Sequence, residues 1–187
     1  MQRRELLKLG LGAGLSAALG ATLGSNAWAQ SVSTPSAGPR RLALHNLHTG
    51  ETFDEAYWDG GRYVADAVGA VNRVLRDYRT GDVHAMDPRL LDLLHQVHGR
   101  IGSNQPFQVI SGYRSPGTNA LLHERSGQVA SHSLHMDGMA IDIRVEGVAL
   151  DHLHKAALDL GQGGVGLYPT SNFVHVDVGR VRRWSGA

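Results

Sequence analysis

The sequence predicts an α+β domain, a small antiparallel sheet with helices packed on one of its faces. Three observations predict it. Apolar residues recur at helical spacing in three stretches of 11 to 17 residues. Short runs before, between and after them alternate apolar with polar residues, the period of a half-buried strand. The first two of these runs are separated by a glycine-containing turn, which makes them a hairpin.

In chain order, Arg41–Leu47 and Thr52–Trp58 flank His48-Thr49-Gly50-Glu51 and form that hairpin. Asp59-Gly60-Gly61 breaks the chain. Val64, Val68, Val71, Val74, Leu75 and Tyr78 then mark an amphipathic helix over 63–79. Asp87-Pro88 has the form of an N-cap followed by proline at the first helical position, and Leu90, Leu91, Leu93, Leu94 and Val97 carry this helix to Gly99. Residues 107–111 read as a strand, 118–126 as a third helix, 140–145 as a strand, 150–160 as a fourth helix and 173–178 as the last strand. The glycines at 161, 163, 164 and 166 predict a tight, irregular connection between that helix and that strand.

Composition limits the function. The chain has 187 residues, 42% hydrophobic and 19% charged, which suits one domain with appendages. Arg3, Arg4, Lys8 and Glu5 are the charges of the first 29 residues; without them the 18 basic and 17 acidic residues leave a body near −1. Such a body gives no electrostatic reason to bind nucleic acid. No cysteine is present, which excludes disulfides, thiolate zinc clusters, cysteine nucleophiles and a lipidated N-terminal cysteine.

Paired arginines, an uncharged Leu/Gly/Ala run and Ala27-Trp28-Ala29 make residues 1–29 a twin-arginine export signal cleaved before Gln30, with a retained anchor as the alternative. Residues 30–40 are Ser/Pro/Gly-rich and read as a flexible linker. Residues 41–187 form the domain.

Two strands carry the chemistry. In Ala140–Val145, period 2 places Ile141, Ile143 and Val145 on one face and Ala140, Asp142 and Arg144 on the other. In Phe173–Val178, Val174, Val176 and Val178 oppose Phe173, His175 and Asp177. If the strands are neighbours, Asp142 and His175 project together from the open face of the sheet. His135 stands seven residues before Asp142, and Asp137-Gly138 can turn it back over the strand. Two imidazoles and a carboxylate make a three-ligand set for zinc with a fourth position for water. Each residue alone has a bland reading as a hydrogen-bonded or solvated surface group.

The string Ser133-x-His135-x-x-Gly138-x-Ala140-x-Asp142, followed by His175 on a strand, resembles the zinc D-Ala-D-Ala carboxypeptidase family, within the group that includes lysostaphin-type peptidases and the hedgehog fold. Ser111-Gly112-Tyr113-Arg114-Ser115 is similar to that family's Ser-Gly-x-Arg-Ser segment. The runs 44–51, 163–169 and 173–177 resemble its exported murein endopeptidase branch. The resemblance spans nearly the whole chain. It implies one zinc ion held by His135, Asp142 and His175. It also implies an oxyanion-holding role for Arg114, and hydrolysis of peptidoglycan cross-links in the periplasm by a zinc-activated water. A carboxypeptidase on muropeptides and a non-catalytic zinc-containing wall-binding protein are the alternatives, and a monomer without lipid anchor is expected. One position departs from several relatives: Asn172 stands where they carry a general base. Asp177, on the ligand face, is the first candidate for that role, ahead of His132 and Asp137.

Overall fold

The computed structural model of the chain describes residues 38–126 and 129–186. The predicted signal and the linker up to residue 37 lie outside the described residues. Among those described, no helix is long and apolar enough to cross a membrane.

The elements follow as β1 (Arg40–Asn46), β2 (Thr52–Asp59), β3 (Arg62–Tyr63), α1 (Ala65–Val74), α2 (Pro88–Ile101), β4 (Phe107–Ser111) and α3 (Pro116–Ser126). A 3-10 turn (Leu134–Asp137), β5 (Ala140–Val145), α4 (Leu150–Leu158), β6 (Gly164–Tyr168), β7 (Phe173–Asp177) and β8 (Arg182–Ser185) complete the chain. The strands form one sheet in the order β3-β2-β1-β4-β5-β7-β6-β8. The α+β class stands, but the sheet is larger than predicted and is mixed: β1 runs parallel to β4, and β6 parallel to β8. Two helices, α1 and α2, lie between β1 and β4. They supply the length of connection that parallel neighbours need.

β3, β6 and β8 are absent from the sequence reading. β3 has two residues and β8 four, too few for alternation to show. β6 carries glycine at two of its five positions, which reads as a loop until its partners are known.

The alternation predicted for the central strands is observed. Ile141, Ile143, Val174 and Val176 are fully buried in one core with Leu90, Leu91 and Leu94 of α2 and Leu153 of α4. Deleting such a side chain costs about 2–5 kcal/mol. The opposite face is also covered where it matters: Asp142 and His175 are buried at the foot of a cleft rather than on an open surface, and Asp177 is buried behind His175.

The helix predicted over 63–79 is shorter at both ends. Tyr63 belongs to β3, and the C-terminal end is cut by tertiary hydrogen bonds. The Asn46 side-chain amide donates to the Val74 carbonyl at 2.7 Å, and the Tyr113 N–H to the Leu75 carbonyl at 2.7 Å. The chain then turns, and Asp77 is 1% exposed. Its carboxylate accepts from the Ser115 N–H at 2.9 Å, the Ser115 hydroxyl at 2.8 Å and the Arg79 N–H at 3.0 Å. Asp77 therefore fixes the segment that carries Arg114.

Burial raises the Asp77 pKa, but hydrogen bonds from Thr118, Ser115 and Arg79 outweigh it and hold the group below its ordinary value. A depressed carboxylate stabilises the fold above its unfolded pKa, near 3.9, and this contribution fades as pH falls through the lower folded value. Asp77→Asn is expected to cost about 1–3 kcal/mol in urea unfolding at pH 7, with the gap from the unsubstituted protein narrowing below about pH 4.

Candidate metal centre

Strand register builds the site. Asp142 of β5 pairs with His175 of β7, and Ser111 of β4 pairs with Asp142 on the other side. The predicted neighbourhood of β5 and β7 is thus observed, and period 2 turns Asp142 and His175 to one face. His135 arrives from the 3-10 turn. Ser133 caps that turn, its hydroxyl accepting from the His135 N–H at 3.4 Å. Gly138 ends the turn at φ +67°, where a Cβ would lie 2.4 Å from the Ala85 carbonyl oxygen. Any side chain there would displace the turn that aims His135.

His135 Nε2, His175 Nδ1 and Asp142 Oδ1 form a triangle with sides of 3.2, 2.9 and 3.3 Å. Among the described residues, these three form the group of His, Asp or Glu side chains able to hold a metal. Donors about 2.0–2.1 Å from a tetrahedral zinc are about 3.3 Å apart, so this triangle is close to the size the ion needs.

The outer nitrogens orient the rings. His135 Nδ1–H donates to the Gly112 carbonyl at 2.7 Å, since a carbonyl can only accept. His175 Nε2–H donates to Asp177 Oδ2 at 3.0 Å. Both rings therefore turn their other nitrogen toward Asp142. Outer partners of this kind orient metal-bound imidazoles and raise their basicity.

Electrostatics follow the geometry. Burial raises the pKa of Asp142, but the two imidazoles outweigh it and hold the carboxylate well below its usual range. Burial pushes His135 down. Burial also lowers His175, but hydrogen bonds to Asp142 and Asp177 dominate and lift it to about 9.

Asp177 is fully buried and heavily bonded. Besides His175, it accepts from Arg182 Nη1 at 3.0 Å and Nη2 at 2.7 Å, and from the N–H groups of Gly164 and Gly179 at 3.0 and 2.9 Å. Burial raises its pKa, but the bonds from His175 and Arg182 prevail and hold it well below the usual range. It faces the outer edge of His175, not the side where Asp142 and His135 meet.

Arg114 is 8% exposed. Its Nη2 lies 3.7 Å from Asp142 Oδ2, and long hydrogen bonds run from Nη1 to Asn119 at 3.3 Å and from Nη2 to the Ser111 hydroxyl at 3.4 Å. Its buried Nε has no partner. Burial lowers its pKa, and Asp142 partly restores it. The guanidinium thus sits beside the donor trio with hydrogen-bonding capacity in reserve.

A cleft of about 410 Å³ opens over the trio, lined also by Arg114, His132, Tyr168 and Trp184. Asp142 is its only carboxylate among the described lining residues; Asp177, Asp137 and Asn172 do not line it. Sequence reasoning missed Asp77, Arg182 and Trp184. The alternation of Arg182 and Trp184 is a signal for the last two, but over four residues it is too short to stand alone.

An α+β domain that gathers two imidazoles and one carboxylate at the foot of a cleft, with a buried arginine beside them, has the architecture of a metallopeptidase. Comparison with known proteins places the chain among peptidases. Residues 34–184 match the profile of Peptidase_M15_2, described as peptidoglycan L,D-endopeptidase MepK, and the chain belongs to this family. It is 46% identical to the peptidoglycan L,D-endopeptidase MepK of Escherichia coli K12, over 97% of this chain and 96% of that one. The Shigella flexneri protein of the same name shows the same identity and coverage. The probable peptidoglycan L,D-endopeptidase MepK of Haemophilus influenzae is 41% identical over 86% of each chain.

Proposed function

We propose that this protein is an exported zinc peptidase that hydrolyses peptide cross-links of peptidoglycan, acting as an L,D-endopeptidase. The observation that carries the reading is the triangle of donor atoms from His135, Asp142 and His175, sized for one zinc ion, in a chain 46% identical to proteins of that name. Export through the signal at residues 1–29, with residues 41–187 as the working domain in the periplasm, is part of the same reading. A match covering 97% of the chain, and so reaching into the first 29 residues, supports it.

His135 Nε2, His175 Nδ1 and Asp142 Oδ1 would hold the ion. Zinc supplies a Lewis acid and lowers the pKa of a bound water toward 7. Arg114, 3.7 Å from Asp142 in the cleft wall, would hold the oxygen on which negative charge develops, and burial strengthens that interaction. Asp177 orients His175 instead of serving as base: its oxygens are occupied, and it faces away from the cleft. His132, the imidazole that lines the cleft outside the trio among the described residues, is the group assigned here to carry protons between water and the leaving amine.

Asp177→Asn is expected to weaken zinc binding about 10–100-fold, measured by competition with a chromophoric chelator. The reading as a whole is tested on purified cross-linked muropeptide dimers, with zinc and after chelation. Cleavage to monomers that stops on chelation is the expected result. Release of terminal D-Ala alone would make the protein a carboxypeptidase. Full zinc loading with intact dimers would make it a binding protein.

A further inference from the structure

Strand register lays a row of side chains across five strands. Ser111, Asp142, His175, Gly166 and Trp184 are successive partners on β4, β5, β7, β6 and β8. Gly166 stands between His175 and Trp184. A Cβ there would lie 2.5 Å from the indole ring, so the absence of a side chain is what lets Trp184 lie over β6 toward the site. The indole centroid is 5.2 Å from that of His175. Its N–H is satisfied, donating to the Tyr168 hydroxyl at 2.9 Å. Tyr168 in turn stacks on Phe173 at 4.5 Å.

The result is a half-buried aromatic shelf along one wall of the cleft, continuous with the metal donors. Large, flat, half-buried rings that line a cleft beside a reacting centre give contact area at little entropic cost. The Tyr168 hydroxyl accepts from Trp184, so its own proton is available to a bound molecule.

We propose that Trp184 and Tyr168 form a specificity subsite for the cross-linked peptide. The indole receives the aliphatic side chain of the residue next to the scissile bond, and the Tyr168 hydroxyl donates to a carbonyl of the same peptide. The proposal rests on the peptidase reading above and adds the surface that selects the substrate. Gly166 belongs to the subsite because it makes room for the ring.

The test is steady-state kinetics of the full-length zinc-loaded protein on cross-linked muropeptide dimers, with zinc content measured for every variant. For Trp184→Ala, KM is expected to rise roughly tenfold or more, with kcat within about threefold and zinc still stoichiometric. Trp184→Phe is expected to recover part of the loss. Gly166→Ala, which displaces the ring, is expected to reproduce it. Arg183→Ala, on the other face of β8, is the control and leaves KM unchanged. An unchanged KM in Trp184→Ala overturns the subsite. So does a fall in kcat accompanied by zinc loss, which would mean that the ring serves only to brace His175. If the unsubstituted protein cleaves no dimer, the peptidase reading fails separately. The subsite is then judged by calorimetry with the intact dimer, and equal binding by the unsubstituted protein and Trp184→Ala overturns it.

Discussion

Asp142→Asn is expected to abolish stable zinc retention and to reduce dimer hydrolysis by three orders of magnitude or more. The side chain is nearly isosteric, so the change is electrostatic. Asp142 is the anionic member of the trio. Its Oδ1 lies 2.9 Å from His175 Nδ1 and 3.3 Å from His135 Nε2, while its Oδ2 lies 3.7 Å from Arg114. A neutral amide is a poor zinc ligand, and its loss leaves two imidazoles to hold the ion against a buried guanidinium. The loss exceeds the 10–100-fold typical of outer partners because a ligand itself is removed. Metal analysis after dialysis, beside a dimer-cleavage assay, checks the expectation. A variant that keeps stoichiometric zinc and near-normal turnover would remove Asp142 from the site.

Arg114→Lys is expected to lose about 10²–10³-fold in kcat while keeping its zinc. The guanidinium is planar, and its position is set from several directions. The Arg114 N–H donates to the His135 carbonyl at 3.1 Å, Asn119 and Ser111 hold the terminal nitrogens, and Asp77 anchors the adjacent Ser115. A lysine ammonium is a point charge that cannot reproduce the fork. It keeps the positive charge beside Asp142, so the fold and the metal should survive. A drop in kcat with full zinc content assigns Arg114 to the transition state. Zinc loss in this variant would instead assign it to holding Asp142.

Much of the site was legible in the sequence, because period 2 is a strong constraint. Once residues 140–145 and 173–178 are read as strands, Asp142 and His175 must share the polar face, and the register places them side by side. The turn signal at Asp137-Gly138 brought in His135, and resemblance to a zinc peptidase family supplied Arg114; alternation alone singles out neither. What surrounds them was not legible, for three physical reasons. β8 is four residues long, so Arg182 and Trp184 show no pattern until their partners across Gly164 and Gly166 are known. Glycines that read as loop punctuation are strand positions left bare for close approach: a Cβ on Gly164 would lie 2.4 Å from both Arg182 and Asp177. The role of Asp177 turns on a third dimension that alternation does not contain. Period 2 places it on the His175 face, but the Arg182 pair and two backbone N–H groups turn it to the outer edge of the imidazole.

The proposed chemistry needs one ion at the meeting point of β5, β7 and the 3-10 turn. Anomalous scattering across the zinc absorption edge, from crystals of the protein purified without chelator, locates that ion directly. A single peak is expected about 2.0–2.2 Å from His135 Nε2, His175 Nδ1 and an oxygen of Asp142. A peak elsewhere, or none at this point in crystals grown with zinc, would contradict the account.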